Sequence, residues 1–315
     1  MKRRKVKKWP IVLLIIIVIF IIATIAITKY IHKINSYEYK LEQIGYTNEQ
    51  VEILKNKLKN DELDIILKKK KNKKIIELIQ EKHFIFDNLD HYLKYDDEID
   101  EEKSIKDIIA IVNVNSNKEW YKGPKETNVE LNEKMLVNKF YHLTKNYKPN
   151  DLVDLSNEYA YGSDQKIRKR AYDAFLSMWN AAKKEDITLI VNSSYRSYED
   201  QDSVYSDYSS WYGEEEADKI AARPGFSEHQ TGYALDIQTY NSNRNNFEDS
   251  DAFKWLNKNA YKYGFILRYP KGKEYLTGYD YESWHFRYVG KEIAKYIHKN
   301  KITFDEYYAY FIEKK

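Results

Sequence analysis

The run from Ile11 to Ala26, extendable to Thr28, contains no charged side chain and no glycine. A helix of about 20 residues spans the hydrocarbon core of a bilayer, so the run is just long enough to cross one. The preceding octet, MKRRKVKK, holds six basic side chains and no acid. Basic residues before a span point to a cytoplasmic N-terminus and an exported remainder. The expected organisation is a cytoplasmic basic segment at 1–9 and a single-pass anchor at 10–28, with the rest of the chain outside the cell membrane. Two other readings stay open. A cleaved secretory signal would use Ala23 or Ala26, although no clean A-x-A site follows. A buried soluble helix would have no need of the basic flank.

The remainder must fold in water without disulfides, because the chain contains no cysteine. Any metal site must then draw on His, Asp or Glu. With 315 residues and 43% hydrophobic side chains, the chain can form one catalytic domain of ordinary size and something more. A net charge of +3 is too small to argue for a nucleic-acid partner. Tyr is unusually common at 30, against 12 Phe, which suits a polar-walled groove as well as a core.

Residues 29–105 are strongly charged and poor in Gly and Pro, and they read as a helical spacer. Thr47 and Gln50 form the ends of a capping-box pattern, and Val51, Leu54 and Leu58 follow at helical spacing. Further helical stretches hold Leu63, Ile66 and Leu67, then Ile75, Leu78 and Ile79. The basic run Lys68–Lys74 reads as a solvated face, with polyanion binding as the alternative. The acidic run from Asp96 to Glu102 reads as a linker.

From about residue 106 the pattern changes, and 106–315 is expected to be the catalytic domain. Ile108–Val112 is a strand candidate, Asp164–Lys184 a helix, and Ile187–Val191 a short buried strand. A helix broken at Gly213 is expected over Tyr198–Ala222, and another over Phe253–Tyr263, ended by Gly264. Phe265–Tyr269 and His285–Val289 read as strands, and helical segments close the chain. Separated helices and short strands predict an α+β fold with a small mixed or antiparallel sheet, not a repeating βαβ order.

The chain holds only seven His, and two lie in unusual local sequences. One is Phe226-Ser-Glu-His229-Gln-Thr-Gly-Tyr-Ala-Leu-Asp236, the other Glu282-Ser-Trp-His285-Phe-Arg-Tyr288. A hydrolytic zinc site needs three protein ligands from His, Asp or Glu and an open fourth position. It also needs a carboxylate outside the ligand set to carry a proton. His229, Asp236 and His285 can supply the first, and Glu282 the second. Gly232 lets the chain turn tightly between His229 and Asp236. His32, His83, His91, His142 and His298 have no such context and read as solvated or partly packed side chains.

The segments SEHQTGYALD and ExWHxRYVG, with Ser194-Tyr-Arg196-Ser-Tyr-Glu-Asp-Gln201 before them, resemble the signature stretches of the VanY-type zinc D-alanyl-D-alanine carboxypeptidases. That family includes L,D-carboxypeptidase relatives and is related to the VanX dipeptidases and hedgehog-like zinc folds. The resemblance covers roughly residues 106–300. It implies His229, Asp236 and His285 as zinc ligands and Glu282 as general base and acid. It also implies Arg196 as the stabiliser of the oxyanion, with Gln201 and Ser227 helping to hold the substrate's terminal carboxylate. Trp284 is expected to pack the site and orient His285, and Arg287 to support the metal from behind; ordinary structural roles stay open for both.

The function so implied is removal of the C-terminal D-Ala from peptidoglycan stem peptides, by D,D- or L,D-cleavage, in wall remodelling or glycopeptide resistance. Its partners would be the stem peptides and, through one N-terminal helix, the membrane, with no obligate protein partner evident. The alternatives are a peptidoglycan endopeptidase and a catalytically silent wall-binding module.

Overall fold

The computed structural model describes residues 9–313 except Ser163, Asn241, Asn243 and Asn245; the basic octet lies outside the described residues. The chain divides into two compact units, Met1–Lys106 and Asp107–Lys315.

The first unit opens with α1 (Trp9–Asn35). Its stretch Ile11–Asn35 is long and apolar enough to cross a membrane, with a mean hydropathy reaching 3.4. Both of its threonine hydroxyls are satisfied within the helix. Thr24 donates to the Phe20 carbonyl and Thr28 to the Thr24 carbonyl, both at 2.8 Å, as a helix without water nearby requires. Five short helices follow: α2 (Tyr37–Gln43), α3 (Asn48–Lys57), α4 (Asn60–Leu67), α5 (Lys73–Gln80) and α6 (Leu89–Glu98). They enclose a core that includes Leu41, Leu54, Ile66, Ile75, Leu78 and Tyr92. At the start of α3, the Thr47 hydroxyl accepts from the Gln50 N–H at 3.3 Å, and the Gln50 amide oxygen accepts from the Thr47 N–H at 3.1 Å. The acidic run is not all linker. Asp96 lies in α6 and pairs with Lys74 at 2.8 Å. The basic run is partly consumed within the unit, since Lys69 pairs with Asp90 and Lys71 donates to the Gly45 carbonyl.

In the sequence that follows, the strand expected at Ile108–Val112 is instead part of the helix α7 (Ile105–Asn113). All residues from Ile108 to Asn113 are buried. A helix buried all round shows no polar stripe, so its apolar run looks like that of a buried strand. Two short pairings come next. The strands β1 (Lys125–Glu126) and β2 (Tyr141–His142) pair in parallel, and β3 (Leu152–Asp154) pairs antiparallel with β4 (Lys166–Arg168). The expected helix from Asp164 therefore begins later, as α8 (Lys169–Lys183), because Lys166–Arg168 is held extended by its partner strand.

The main sheet is antiparallel with the order β5-β6-β8-β7. Its strands are β5 (Ile190–Ser193), β6 (Ala234–Gln238), β7 (Phe265–Leu267) and β8 (His285–Tyr288). Between β5 and β6 run α9 (Tyr198–Tyr212) and α10 (Glu214–Ile220), and between β6 and β7 runs α11 (Asp251–Asn259). The short α12 (Glu274–Thr277) precedes β8, and α13 (Lys291–Asn300) and α14 (Phe304–Phe311) follow it.

Side chains alternate across a strand, and register does the rest. Asp236 pairs with His285, Leu235 with Phe286, and Ala234 with Arg287. Leu235, Ile237, Phe286 and Tyr288 thus join Phe175 and Met178 of α8 in the main core. Asp236, His285 and Arg287 are carried on the opposite face.

Candidate active site

Eight of the residues singled out from the sequence line one cleft, Arg196, Gln201, Ser227, His229, Asp236, Glu282, Trp284 and His285, while Arg287 lies behind it. Three local devices set the His229, Asp236 and His285 side chains. Ser227 caps a 3-10 turn, Glu228–Thr231, that carries His229. Gly232 ends that turn at φ +70°, where a Cβ would meet the Arg168 side chain at 2.8 Å and Leu152 at 3.0 Å. The chain thereby enters β6 with Asp236 facing the cleft. The β6–β8 pairing then sets His285 beside Asp236.

Three side-chain atoms converge. Asp236 Oδ1 lies 3.4 Å from His229 Nε2 and 3.2 Å from His285 Nδ1. Candidate ligand atoms of all three residues lie within 4.8 Å of one another. Zinc–ligand bonds of about 2.0–2.1 Å in a tetrahedron separate neighbouring ligand atoms by about 3.3 Å, so the Asp236 separations fit that ion. A second observation agrees. Asp236 Oδ1 is buried and lacks a hydrogen-bond partner in the protein, a costly state unless a cation answers it.

The ring orientations fit as well. His229 Nδ1 lies 2.6 Å from the Ser194 carbonyl. A carbonyl can only accept, so Nδ1 carries the proton and Nε2 is left as a ligand. For His285 the roles reverse: Nδ1 faces Asp236, and Nε2 faces Glu228 Oε2 at 3.4 Å.

Glu228 was not singled out by the sequence reading, yet it anchors the base of the site. Its side chain is fully buried, with Oε1 2.8 Å from Arg268 Nε and 3.0 Å from Arg287 Nη1. Burial alone would raise its pKa, but the two guanidinium groups hold it well below the usual carboxylate range. Arg268 also bonds Asp305 of α14, through Nη1 at 2.6 Å, and Asn138 donates to Asp305 at 2.8 Å. Arg287 donates besides to the Met135 carbonyl at 2.9 Å. Arg287 thus reaches His285 only through Glu228. A buried carboxylate one residue before a ligand is the local signal that was available. Its partners Arg268 and His285, 40 and 57 residues away in sequence, gave none.

Glu282 Oε2 lies 3.4 Å from His285 Nδ1. Burial, reinforced by the Asp236 charge, pushes its pKa up to about 7. Burial pulls His229 down to about 4, helped by Arg196. His285 is drawn down by burial too, but the neighbouring carboxylates of Asp236 and Glu228 carry it up to about 9. A cation among these ligands would reorder all three values, so the directions describe the metal-free protein.

The remaining groups set the walls. Arg196 is half-buried, and its buried Nε lacks a partner in the protein; burial lowers its pKa. Arg244, also unforeseen, binds Asp236 Oδ2 at 3.3 Å and the Tyr208 hydroxyl at 3.1 Å, and its guanidinium lies 5.4 Å from the Trp284 ring centre. It sits among asparagines in NSNRNN, where no pattern marks it. Trp284 is half-buried and packs against the main core. Gln201 Nε2 donates to the Ala222 carbonyl at 2.7 Å, leaving one amide N–H for a ligand. The Ser227 oxygen accepts from the His229 N–H at 3.3 Å, leaving its own hydrogen to donate. The two other histidines of this unit do not line the cleft. His142 packs on Phe226, and His298 stacks on Tyr261 at 3.8 Å.

A family profile described as VanY, D-alanyl-D-alanine carboxypeptidase, matches residues 164–291. YodJ of Bacillus subtilis (strain 168) is 50% identical over 182 residues, which cover 55% of this chain and 66% of YodJ. The solved LdcB LD-carboxypeptidase is 43% identical, covering 60% of this chain and 91% of LdcB, with a TM-score of 0.56. A solved variant of the VanY D,D-pentapeptidase from a VanB-type resistance cassette, in complex with Zn(II), is 32% identical. That alignment covers 56% of this chain and 98% of the VanY structure, with a TM-score of 0.50. Against three of the curated relatives, the chain spans only 59% to 66% of their length. With the three-residue metal constellation, the cleft and the sheet that carries them in place, the chain belongs to the VanY D-alanyl-D-alanine carboxypeptidase family.

Proposed function

We propose that this chain is a zinc carboxypeptidase that removes the terminal D-Ala from peptidoglycan stem peptides at the outer face of a membrane. The observation that carries the reading is the unpartnered Asp236 Oδ1 between His229 Nε2 and His285 Nδ1, with the carboxylate of Glu282 beside it. His229, Asp236 and His285 would hold the ion. Zinc in such a site supplies a Lewis acid that polarises a carbonyl and acidifies water.

The chain's own groups do the remainder. The Glu282 carboxylate takes a proton from the attacking water and returns it to the departing amine, a task suited to a carboxyl whose affinity for protons has been raised by burial. Arg196 offers its unpaired Nε–H to the oxyanion as charge develops there, and a fixed, partly desolvated donor is worth more than one in water. Gln201 and Ser227 each keep one donor for the terminal carboxylate. Arg244 holds Asp236 from the far side and so fixes which carboxylate oxygen faces the ion.

The helix α1 would act as a single-pass anchor. The basic octet before it favours a cytoplasmic N-terminus, which puts the catalytic unit on the wall side. The linked titratable set, with Glu282 in place, favours an enzyme over a silent wall-binding module, which has no need of a proton carrier. Glu282→Ala is expected to retain zinc and lose turnover, whereas His229→Ala loses both. Near-normal turnover by a zinc-loaded Glu282→Ala protein would remove Glu282 from this role.

A further inference from the structure

The helix α9 carries one wall of the cleft. Gln201, Val204 and Tyr208 all line it, at spacings of three and four residues that place them on one helix face. Trp211 and Tyr212 continue the same face, three and four residues beyond Tyr208, and they leave the cleft for solvent. Trp211 is 67% exposed and Tyr212 58%. The rings are nevertheless packed against one another. Tyr208 stacks on Tyr212 with centroids 6.1 Å apart and meets Trp211 edge-on at 5.8 Å, and Trp211 meets Tyr212 at 6.4 Å. Large exposed aromatics adjoining a cleft are a binding surface more often than an accident.

We propose that Trp211 and Tyr212 form a shelf that stacks a sugar ring of the glycan to which the stem peptide is attached. The inference rests on the carboxypeptidase reading, with the peptide's C-terminus seated near Gln201.

Length and charge select this occupant. Gln201 and Trp211 are separated by ten residues of helix, about 15 Å at 1.5 Å per residue. An extended peptide covers about 3.3 Å per residue, so about four to five residues reach from one to the other. That is the length of a tetra- or pentapeptide stem, and the group that arrives at the shelf is the sugar bearing it. No Lys or Arg occurs between Tyr198 and Asp218, while Glu199, Asp200, Asp202, Asp207 and Glu214–Glu216 are acidic. A polyanion or an anionic lipid surface is repelled there. A neutral pyranose is not. The negative π-face of an aromatic ring attracts the partially positive C–H face of a sugar, and the Tyr212 hydroxyl and Trp211 N–H remain for its hydroxyls.

The test compares two substrates with the detergent-solubilised full chain: a free stem peptide, and the same peptide on its N-acetylglucosamine–N-acetylmuramic acid disaccharide. The shelf predicts that kcat/KM favours the disaccharide substrate. Trp211→Ala should reduce that preference about tenfold, chiefly through KM, which corresponds to about 1.4 kcal/mol, and Trp211→Phe should keep most of it. No preference in the wild type, or one that survives in Trp211→Ala and Tyr212→Ala alike, overturns the proposal. Calorimetry with the disaccharide-linked and free tripeptides separates the two layers. A protein that cleaves neither substrate, yet binds the disaccharide form more tightly through Trp211, overturns the carboxypeptidase reading and keeps the shelf. Self-association or vesicle binding that disappears in Trp211→Ala, with no sugar effect, assigns the rings to another partner and overturns the shelf.

Discussion

Replacing Glu228 by Gln tests how the metal ligands are held. In the native site one carboxylate meets three donors: Arg268 at 2.8 Å, Arg287 at 3.0 Å and His285 Nε2 at 3.4 Å. An amide has one acceptor oxygen and one donor group, so its NH2 must face a guanidinium or the His285 N–H. Asp305 still answers Arg268. Arg287 keeps only backbone carbonyls, those of Tyr288, Met135 and Glu133, and becomes a buried charge without a counter-ion. Breaking a buried pair in this way costs about 3–5 kcal/mol of stability. Loss of the group that fixes a ligand's tautomer lowers metal affinity by about 10–100-fold. Five of the six tryptophans, all but Trp9, lie in the catalytic unit, so denaturant unfolding followed by tryptophan fluorescence reports on that unit. Zinc affinity is measured separately, by competition with a chromogenic chelator. A Glu228→Gln protein whose stability falls while its zinc affinity stays within twofold of wild type would refute the positioning role and leave Glu228 a purely structural group.

Three further outcomes follow from the same geometry. Arg196→Ala should lower kcat by about 100–1000-fold, as loss of one oxyanion donor does; a change confined to KM would place Arg196 in ground-state binding instead. Gly232→Ala should cost about 1–3 kcal/mol, because φ +70° is unfavourable for alanine and its Cβ meets Arg168 at 2.8 Å; an unchanged unfolding midpoint would contradict this. Lys139 lies buried, its ammonium 3.6 Å from the Trp120 ring centre and 4.3 Å from that of Tyr279. Burial pulls its pKa down to about 7, against the nearby Asp218 charge. The folded state then binds fewer protons than the unfolded chain between about pH 7 and 10.4. Stability should therefore rise with pH across that window, by at most about 5 kcal/mol from this residue, and Lys139→Met should lose that rise.

The convergence of the candidate ligands was legible because they are local. His229 and Asp236 are joined by one glycine turn, and Glu282 and His285 lie three residues apart. The supports of those ligands were not legible. Glu228 is stabilised by Arg268 and Arg287, which come from β7's end and from β8. Asp305, which braces Arg268, lies beyond the part of the chain that the family profile matches. Such contacts are set by tertiary packing and leave no periodicity behind. The fold was misread where local signals are ambiguous. Ile108–Val112 is apolar at every position, which a fully buried helix and a buried strand share. Lys166–Arg168 carries helix-compatible residues, but the pairing of β4 with β3 overrides that preference. Three of the four strands of the main sheet were found as short apolar runs bounded by turns, whereas β6 (Ala234–Gln238), which carries Asp236, was read only as part of a motif and not as a strand.

The central claim is that this chain removes a terminal D-Ala with zinc held by His229, Asp236 and His285. The most direct measurement is mass spectrometry of defined pentapeptide and tetrapeptide muropeptides incubated with the full chain in detergent, with and without a chelator. The account predicts loss of one alanine from the C-terminal end of at least one of the two, abolished by the chelator, restored by zinc, and absent for Glu282→Ala. Cleavage inside the stem, cleavage that survives metal removal, or no cleavage by the zinc-loaded protein would contradict it.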